Sequence, residues 1–197
     1  MIRAASVVLI VLLINGCTQL PEKLGDSNSS RWLEHQVALS TIQSWNIKGR
    51  IAIRNSKESG TLTMYWSQQG SIYELRFIAP FGQGTYLFKG SDTGVSMLGP
   101  KDTYLTASTA EELMYQNLGW YVDLNGLKYW IRGMPEPGVS HNQLLLDEKG
   151  RLLDMQQSGF NVNVGRYTEL NGVSLPEKLS VKNDTIQLKL IIQSWEI

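Results

Sequence analysis

The stretch Trp45-Asn46-Ile47-Lys48-Gly49-Arg50-Ile51-Ala52-Ile53-Arg54 decides the fold. Its odd positions are apolar or small, while Asn46, Lys48, Arg50 and Arg54 fall on the other face. Successive side chains of an extended backbone point to opposite sides, so a period of two marks a half-buried antiparallel strand. The alternation returns in Leu62-Met64-Trp66 and Tyr73-Leu75-Phe77, less strictly in Tyr86-Phe88, and weakly at 94–98 and 102–105. Short segments rich in Gly, Ser, Gln or Asn separate the runs, which makes the set a β-meander with hairpin-length loops.

Working outward, Ser108-Thr109-Ala110-Glu111 predicts a capping box ahead of Leu113, Met114 and Leu118, with Gly119 as C-cap. Residues 123–132 predict a second short helix, stopped by Gly133 and Pro135. Strand patterning resumes at 141–147, 151–158, 161–168, 176–182 and 185–194, and in the last run Ile186, Leu188, Leu190 and Ile192 share a face. On the N-terminal side, Ser29 or Ser30 would cap a helix starting near Arg31, with Trp32, Val37, Leu39 and Ile42 as its apolar positions. The expectation is a mostly β chain with helices (α+β), about eleven strands and about three helices in one domain over 31–197.

Met1-Ile2-Arg3 forms a short basic start, followed by the apolar run Ala4 to Ile14 and then Asn15-Gly16-Cys17. That run is too short to span a bilayer, which takes about 20 residues. Its layout is that of a secretory signal, so residues 1–16 are excluded from the fold. Ile14-Asn15-Gly16-Cys17 resembles a bacterial lipobox, whose cysteine becomes the acylated N-terminus. Cys17 is the one cysteine in the chain, so an intrachain disulfide is excluded. Each buried methylene of a lipid chain contributes about 0.8 kcal/mol, and stable anchoring takes more than one chain. In Gram-negative lipoproteins an Asp after the cysteine signals inner-membrane retention, and Thr18 in its place points to the outer membrane. Residues 17–30, with Pro21, Gly25, Ser27, Ser29 and Ser30, read as a lipidated cysteine and flexible tether.

The 18 basic and 18 acidic side chains balance over 197 residues. Nucleic acid is thereby excluded as a partner, since its binding rests on clustered Lys and Arg neutralising phosphates. His35 and His141 lack partners at metal-ligand spacing. Gly82-Gln83-Gly84 lacks the third glycine and flanking elements of a dinucleotide site, and neither GxxxxGK[ST] nor GxSxG occurs. Glu111, Glu112, Asp147 and Glu148 fall at caps and hairpin ends, where solvation accounts for them. No catalytic residue, metal or cofactor is expected, and the chain is not read as an enzyme.

Several segments carry a family likeness when taken in order. They are Trp45 to Ala52, Tyr65-Trp66-Ser67-Gln68, Ala79-Pro80-Phe81-Gly82, Ser108 to Trp120, Leu127 to Pro135, Gln156 to Phe160, Leu175-Pro176 and Ile192-Gln193-Ser194-Trp195. Together with the lipobox they resemble the LolB family of outer-membrane receptors, which take lipoproteins from the periplasmic carrier LolA and insert them into the outer membrane. The resemblance implies a single-domain incomplete antiparallel β-barrel with helices covering an apolar cavity. It also implies an anchored body facing the periplasm, transient docking of LolA, client lipoproteins held by their acyl chains, and contact with outer-membrane lipids. The chain is expected to act as a monomer. Phe160 stands where Trp is common in the family, and Phe81 where Leu is known.

Two site readings follow. Ile51, Ile53, Leu62, Met64, Trp66, Leu75 and Phe77 form the inward strand face, either a dry core or the lining of an acyl-chain cavity; the resemblance implies the lining, and Trp130 joins it as a candidate. In Pro80-Phe81-Gly82, Pro80 suits position i+1 and Gly82 position i+3 of a type I turn, so the turn does not need the phenyl group. Phe81 either folds back on the core or, as the resemblance implies, enters the bilayer. Arg50 and Arg132 either meet lipid headgroups or acidic residues on the carrier or are solvated, and solvation is the expectation. Rival functions are an envelope lipoprotein that binds another lipid or polymer, and a structural outer-membrane lipoprotein. Cys17→Ala is expected to leave an unacylated precursor, checked by labelled fatty acid; label in the variant would remove Cys17 from its role.

Overall fold

The computed structural model describes residues 24–57 and 59–197, with side chains from Asn28 onward. The expected signal at 1–16, Cys17 and the start of the tether lie outside the described residues. Strand β1 (Ser44–Asn55) buries Trp45, Ile47, Ile51 and Ile53 and exposes Asn46, Lys48, Arg50 and Arg54, as its alternation requires. It is followed by β2 (Ser59–Gln69), β3 (Ile72–Ile78), β4 (Thr85–Ser91), β5 (Gly94–Leu98) and β6 (Tyr104–Ala107), each paired antiparallel with the one before. After two helices come β7 (His141–Leu146), β8 (Leu152–Gln157), β9 (Phe160–Leu170), β10 (Val173–Lys182) and β11 (Ile186–Glu196), a second antiparallel meander.

One pairing joins the two meanders. β11 lies antiparallel to β1, with Ile51 opposite Leu190 and Ile53 opposite Leu188, which gives an 11-stranded sheet in the order β6-β5-β4-β3-β2-β1-β11-β10-β9-β8-β7. The register slips between Lys48 and Gly49. A Cβ on Gly49 would come 2.5 Å from the Ile191 carbonyl oxygen, so only glycine allows this close approach at the bulge. β6 and β7 are left as free edges, and the chain between them carries helices α2 (Ala110–Leu118) and α3 (Leu124–Trp130). Leu113 and Met114 of α2, and Leu124, Leu127 and Trp130 of α3, pack into the same core as the inward strand residues. The barrel is therefore incomplete and closed over by helices.

Local chemistry sets the helix ends. Thr109, not Ser108, is the N-cap of α2, its side chain accepting from the Glu112 amide at 3.4 Å. The shift by one residue frees the Glu111 carboxylate from capping. Its Oε1 accepts from the Leu124 amide at 2.9 Å and ties α2 to the start of α3. Asp123 caps α3 through the Gly126 amide at 2.9 Å. Behind α3, the buried Gln157 amide is fully used. Its oxygen accepts from Trp130 Nε1 (2.7 Å) and the Glu136 amide (2.8 Å), and its nitrogen donates to the Glu136 (3.1 Å) and Val139 (2.9 Å) carbonyls.

Arg132 is not solvated but 6% exposed. Its guanidinium donates to the Ile42 carbonyl at 3.0 Å and the Lys128 carbonyl at 3.2 Å and lies 5.0 Å from the Tyr129 ring centroid. Lys128 belongs to the last turn of α3, and Ile42 follows the end of the N-terminal helix α1 (Leu24–Ser40) by two residues, so both carbonyls lie near helix C-termini, whose dipoles favour a cation. They offset a burial that by itself lowers the pKa of Arg132.

Helix α1 spans Leu24–Ser40, so residues 24–30, read as the end of the tether, are helical instead. Pro21 is the last strong helix breaker before Ser40; Gly25 costs only about 1 kcal/mol inside a helix, and the serines are passed through rather than used as caps. The helix buries Trp32 and Leu39, with Ile42 just beyond, while Val37 points outward beside Leu33. Arg31 Nη1 donates to the Glu148 carbonyl at 2.8 Å, and a Cβ on Gly150 would meet Arg31 at 2.6 Å, which seats the helix on the β7–β8 turn.

His35 sits between Trp32 and Tyr167, with ring centroids at 6.5 and 6.4 Å, and its Nε2 is buried without a partner. Burial, then the charge of Arg151, lower its pKa below 6.5 against the opposing pull of Glu169 and Asp147. The fold thus holds the neutral ring while the unfolded chain takes a proton near the ordinary value. Stability is full above that value and falls as pH drops through it. The thermal midpoint is expected to fall between about pH 7 and about pH 5, and His35→Phe to flatten that slope; an unchanged slope would refute the role of His35. Gly49→Ala is expected to cost about 1–3 kcal/mol in chemical denaturation, through forced separation of β1 from β11.

Candidate functional site

The turns β1–β2, β3–β4 and β5–β6 share one rim of the sheet, as the antiparallel registers require. In the β3–β4 turn the Ala79 amide donates to the Gly84 carbonyl at 2.9 Å, and the Gln83 amide donates to the Pro80 carbonyl at 3.2 Å. The second bond makes Phe81 (φ 54, ψ 29) and Gly82 (φ 71) the two central residues, both left-handed. This is not the expected type I turn with Pro80 at i+1. It has the primed pattern that matches the twist of a hairpin, and Pro80 holds its first position.

Asn or Gly normally occupies such a position. A phenylalanine there costs on the order of 1 kcal/mol in backbone energy. Its side chain recovers nothing by packing, since Phe81 is 97% exposed. Of the two readings left open for Phe81, the fold-back onto the core is excluded. Backbone strain and an exposed aromatic both work against the folded state.

Beside this turn opens a cleft of about 400 Å³, between the rim strands and the end of α2. Ile53, Leu62, Tyr86, Leu118 and Trp120 give it apolar walls, Asn55, Ser59, Gln116 and Asn117 contribute polar groups, and Ala79 and Gln83, which flank Pro80-Phe81-Gly82, also line it. Trp120 meets Phe77 edge-on at 5.5 Å, so the cleft backs directly onto the core. Asn55 Nδ2 donates to the Gly119 carbonyl at 3.3 Å and pins the end of α2 to the end of β1.

The expected lining residues separate into three groups. Ile53 and Leu62 line this cleft. Trp66 lines a second, more polar cleft of about 300 Å³ at the opposite rim, with Tyr73, Glu111 and Lys128; there burial and the charge of Glu111 push the Tyr73 phenol up to about 12, so it stays neutral. Ile51, Met64, Leu75, Phe77 and Trp130 are each at most 1% exposed and border neither cleft. Sequence reasoning missed Leu118 and Trp120, whose place depends on the C-terminal glycine turn of α2, and Tyr86, which was legible in its strand but unassigned.

Among the described residues no three His, Asp or Glu side chains come together as a metal site. His141 is exposed at the start of β7. Also among them, no helix is long and apolar enough to cross a membrane.

The family model for the outer membrane lipoprotein LolB matches residues 43–195. A protein of Nitrosococcus oceani named outer-membrane lipoprotein LolB is 34% identical over 99% of this chain and 98% of its own length. One of the same name from Stutzerimonas stutzeri is 33% identical over 95% of this chain and 92% of its own. Among solved structures, a LolA superfamily protein from Nitrosomonas europaea aligns over 86% of this chain and 93% of its own, with a TM-score of 0.52 at 9% identity. A DUF1329 family protein from Desulfovibrio piger covers 86% and 91%, with a TM-score of 0.54 at 8% identity. These two share the fold. The expected barrel and its family are thus both borne out, and the chain belongs to the LolB family of outer membrane lipoproteins.

Proposed function

We propose that the chain, held at the outer membrane by acyl groups on Cys17, takes lipoproteins from a soluble LolA-type carrier and passes their acyl chains to the bilayer by way of the cleft and the Phe81 turn. One observation carries this reading: the strained, 97% exposed Phe81 stands on a turn whose flanking residues, Ala79 and Gln83, line a cleft with apolar walls at Ile53, Leu62, Leu118 and Trp120 and polar groups between them. Acyl chains leaving the cleft at that rim would meet the same group that enters the membrane.

The energetics require such a route. A triacylated client carries on the order of 45 methylenes, and at about 0.8 kcal/mol each, their exposure to water would cost tens of kcal/mol. Release through water is closed, so the carrier must dock mouth to mouth. Each step can then run downhill from one apolar environment to a better one, with no bond made or broken and no nucleotide spent. The receptor needs no catalysis.

The cleft measures about 400 Å³ and is open to solvent at the rim. Further room for the chains is placed at α2, whose end is held by the Asn55–Gly119 hydrogen bond and by Trp120 against Phe77. Outward movement of α2 joins the cleft to the apolar layer around Ile51, Met64, Leu75 and Phe77. In this reading the candidates buried in the present structure become cargo contacts.

The test is incubation with LolA loaded with a lipoprotein, followed by addition of phospholipid vesicles. Cargo is expected to move to this protein and then to the vesicles. Phe81→Glu is expected to keep the fold and accept cargo, yet deliver several-fold less to vesicles. Absence of any cargo movement from the carrier rejects the receptor role, and normal delivery by Phe81→Glu rejects the role of the turn.

A further inference from the structure

The β5–β6 turn repeats the construction of the Phe81 turn beside it. The Gly99 amide donates to the Thr103 carbonyl at 2.8 Å and the Thr103 amide to the Pro100 carbonyl at 3.4 Å, with Lys101 (φ 58) and Asp102 (φ 56) central and left-handed. Pro-Lys-Asp thus stands where Pro-Phe-Gly stands in the first turn, with strain at two non-glycine positions instead of one. The turns touch: a Cβ on Gly84 would lie 2.5 Å from Pro100 Cγ. Below the second tip, Leu98 pairs directly with Tyr104 on the outward face, 41% and 66% exposed. Lys101 is itself exposed and forms no ion pair among the described residues.

An apolar tip, an outward aromatic and a lysine on one rim match the layering of a bilayer surface. Phenyl and aliphatic groups suit the acyl boundary, a tyrosine the headgroup level, and a lysine stem reaches along apolar surface to place its ammonium at phosphate. We propose that both hairpins form the membrane-contacting surface, with Phe81 and Leu98 at the acyl boundary, Tyr104 at the headgroup level beside it and Lys101 bound to a phospholipid phosphate. The proposal rests on the membrane role of Phe81 given above and extends it to a second element. Asp102 leaves the turn electrically neutral, so Lys101 acts through a local ammonium–phosphate hydrogen bond and not through long-range attraction. Two contacts fix the tilt of the body on the membrane, which a single tip cannot do, and so hold the cleft mouth against the lipid.

The test uses the mature acylated protein reconstituted in phosphatidylethanolamine–phosphatidylglycerol vesicles, with a bimane label on Phe81→Cys, Tyr104→Cys or, at the opposite rim, Thr93→Cys. Nitroxides on the lipid acyl chains are expected to quench the labels at 81 and 104 several-fold more than at 93. In the Tyr104→Cys background, Lys101→Glu is expected to cut that quenching several-fold and Lys101→Arg to retain it. Quenching at 81 without 104 overturns the two-hairpin surface and leaves the Phe81 reading standing. Quenching at neither position overturns both, and a Lys101→Glu variant quenched like its parent overturns the phosphate contact.

Discussion

The antiparallel pairing of β1 with β11 is the constraint on which the rest of the structure depends. Each meander is built from local hairpins and would alone be an open ladder with two solvated edges. Joining them at their first and last strands places β1 and β11 at the centre of the sheet and sends β6 and β7 to its edges. The linking chain must then pass from one edge to the other, and α2 and α3 lie across the inward face for that reason. The bulge at Lys48 and Gly49 adds local twist at the central seam, where the two halves must curve toward one another. The free edges are poor templates for another chain: β6 has four residues, and β7 is broken by a register shift and a left-handed Gln143.

What the sequence disclosed follows from how local each cause is. Alternation in β1, β2, β3 and β11 was legible because one face is buried and the other wet, and the structure buries Ile186, Leu188, Leu190 and Ile192 as that pattern demands. Hairpin spacing then led to the strand count. The beginning of α1 was not legible, because serines that favour caps also tolerate helix interiors when Trp32 and Leu39 anchor the helix from beyond. Nor was the burial of Arg132 or Gln157, since their partners are carbonyls and an indole brought up by distant elements. At the site, Phe81 and its turn were found from sequence, but its left-handed backbone was not: Pro-Phe-Gly fits two turn types, and the strand twist chooses between them.

The helical cover has two mechanical halves. Around α3, Trp130 is bonded to Gln157, which in turn holds the Glu136 and Val139 backbone, and Arg132 ties the ends of α1 and α3 together. Moving that half would strand buried polar groups, at roughly 1–3 kcal/mol each and more for the cation. The outer end of α2 is held differently, by the Asn55–Gly119 hydrogen bond and by aromatic packing of Trp120 on Phe77. An incoming acyl chain can replace an aromatic contact with another apolar contact at little cost, whereas it can supply no donor to Gln157 and no acceptor to Arg132. The cover should therefore yield at α2 and stay fixed at α3. That end of α2 lies at the rim where Phe81 stands, so on the proposed role the less polar side of the cover and the strained turn would belong to one opening.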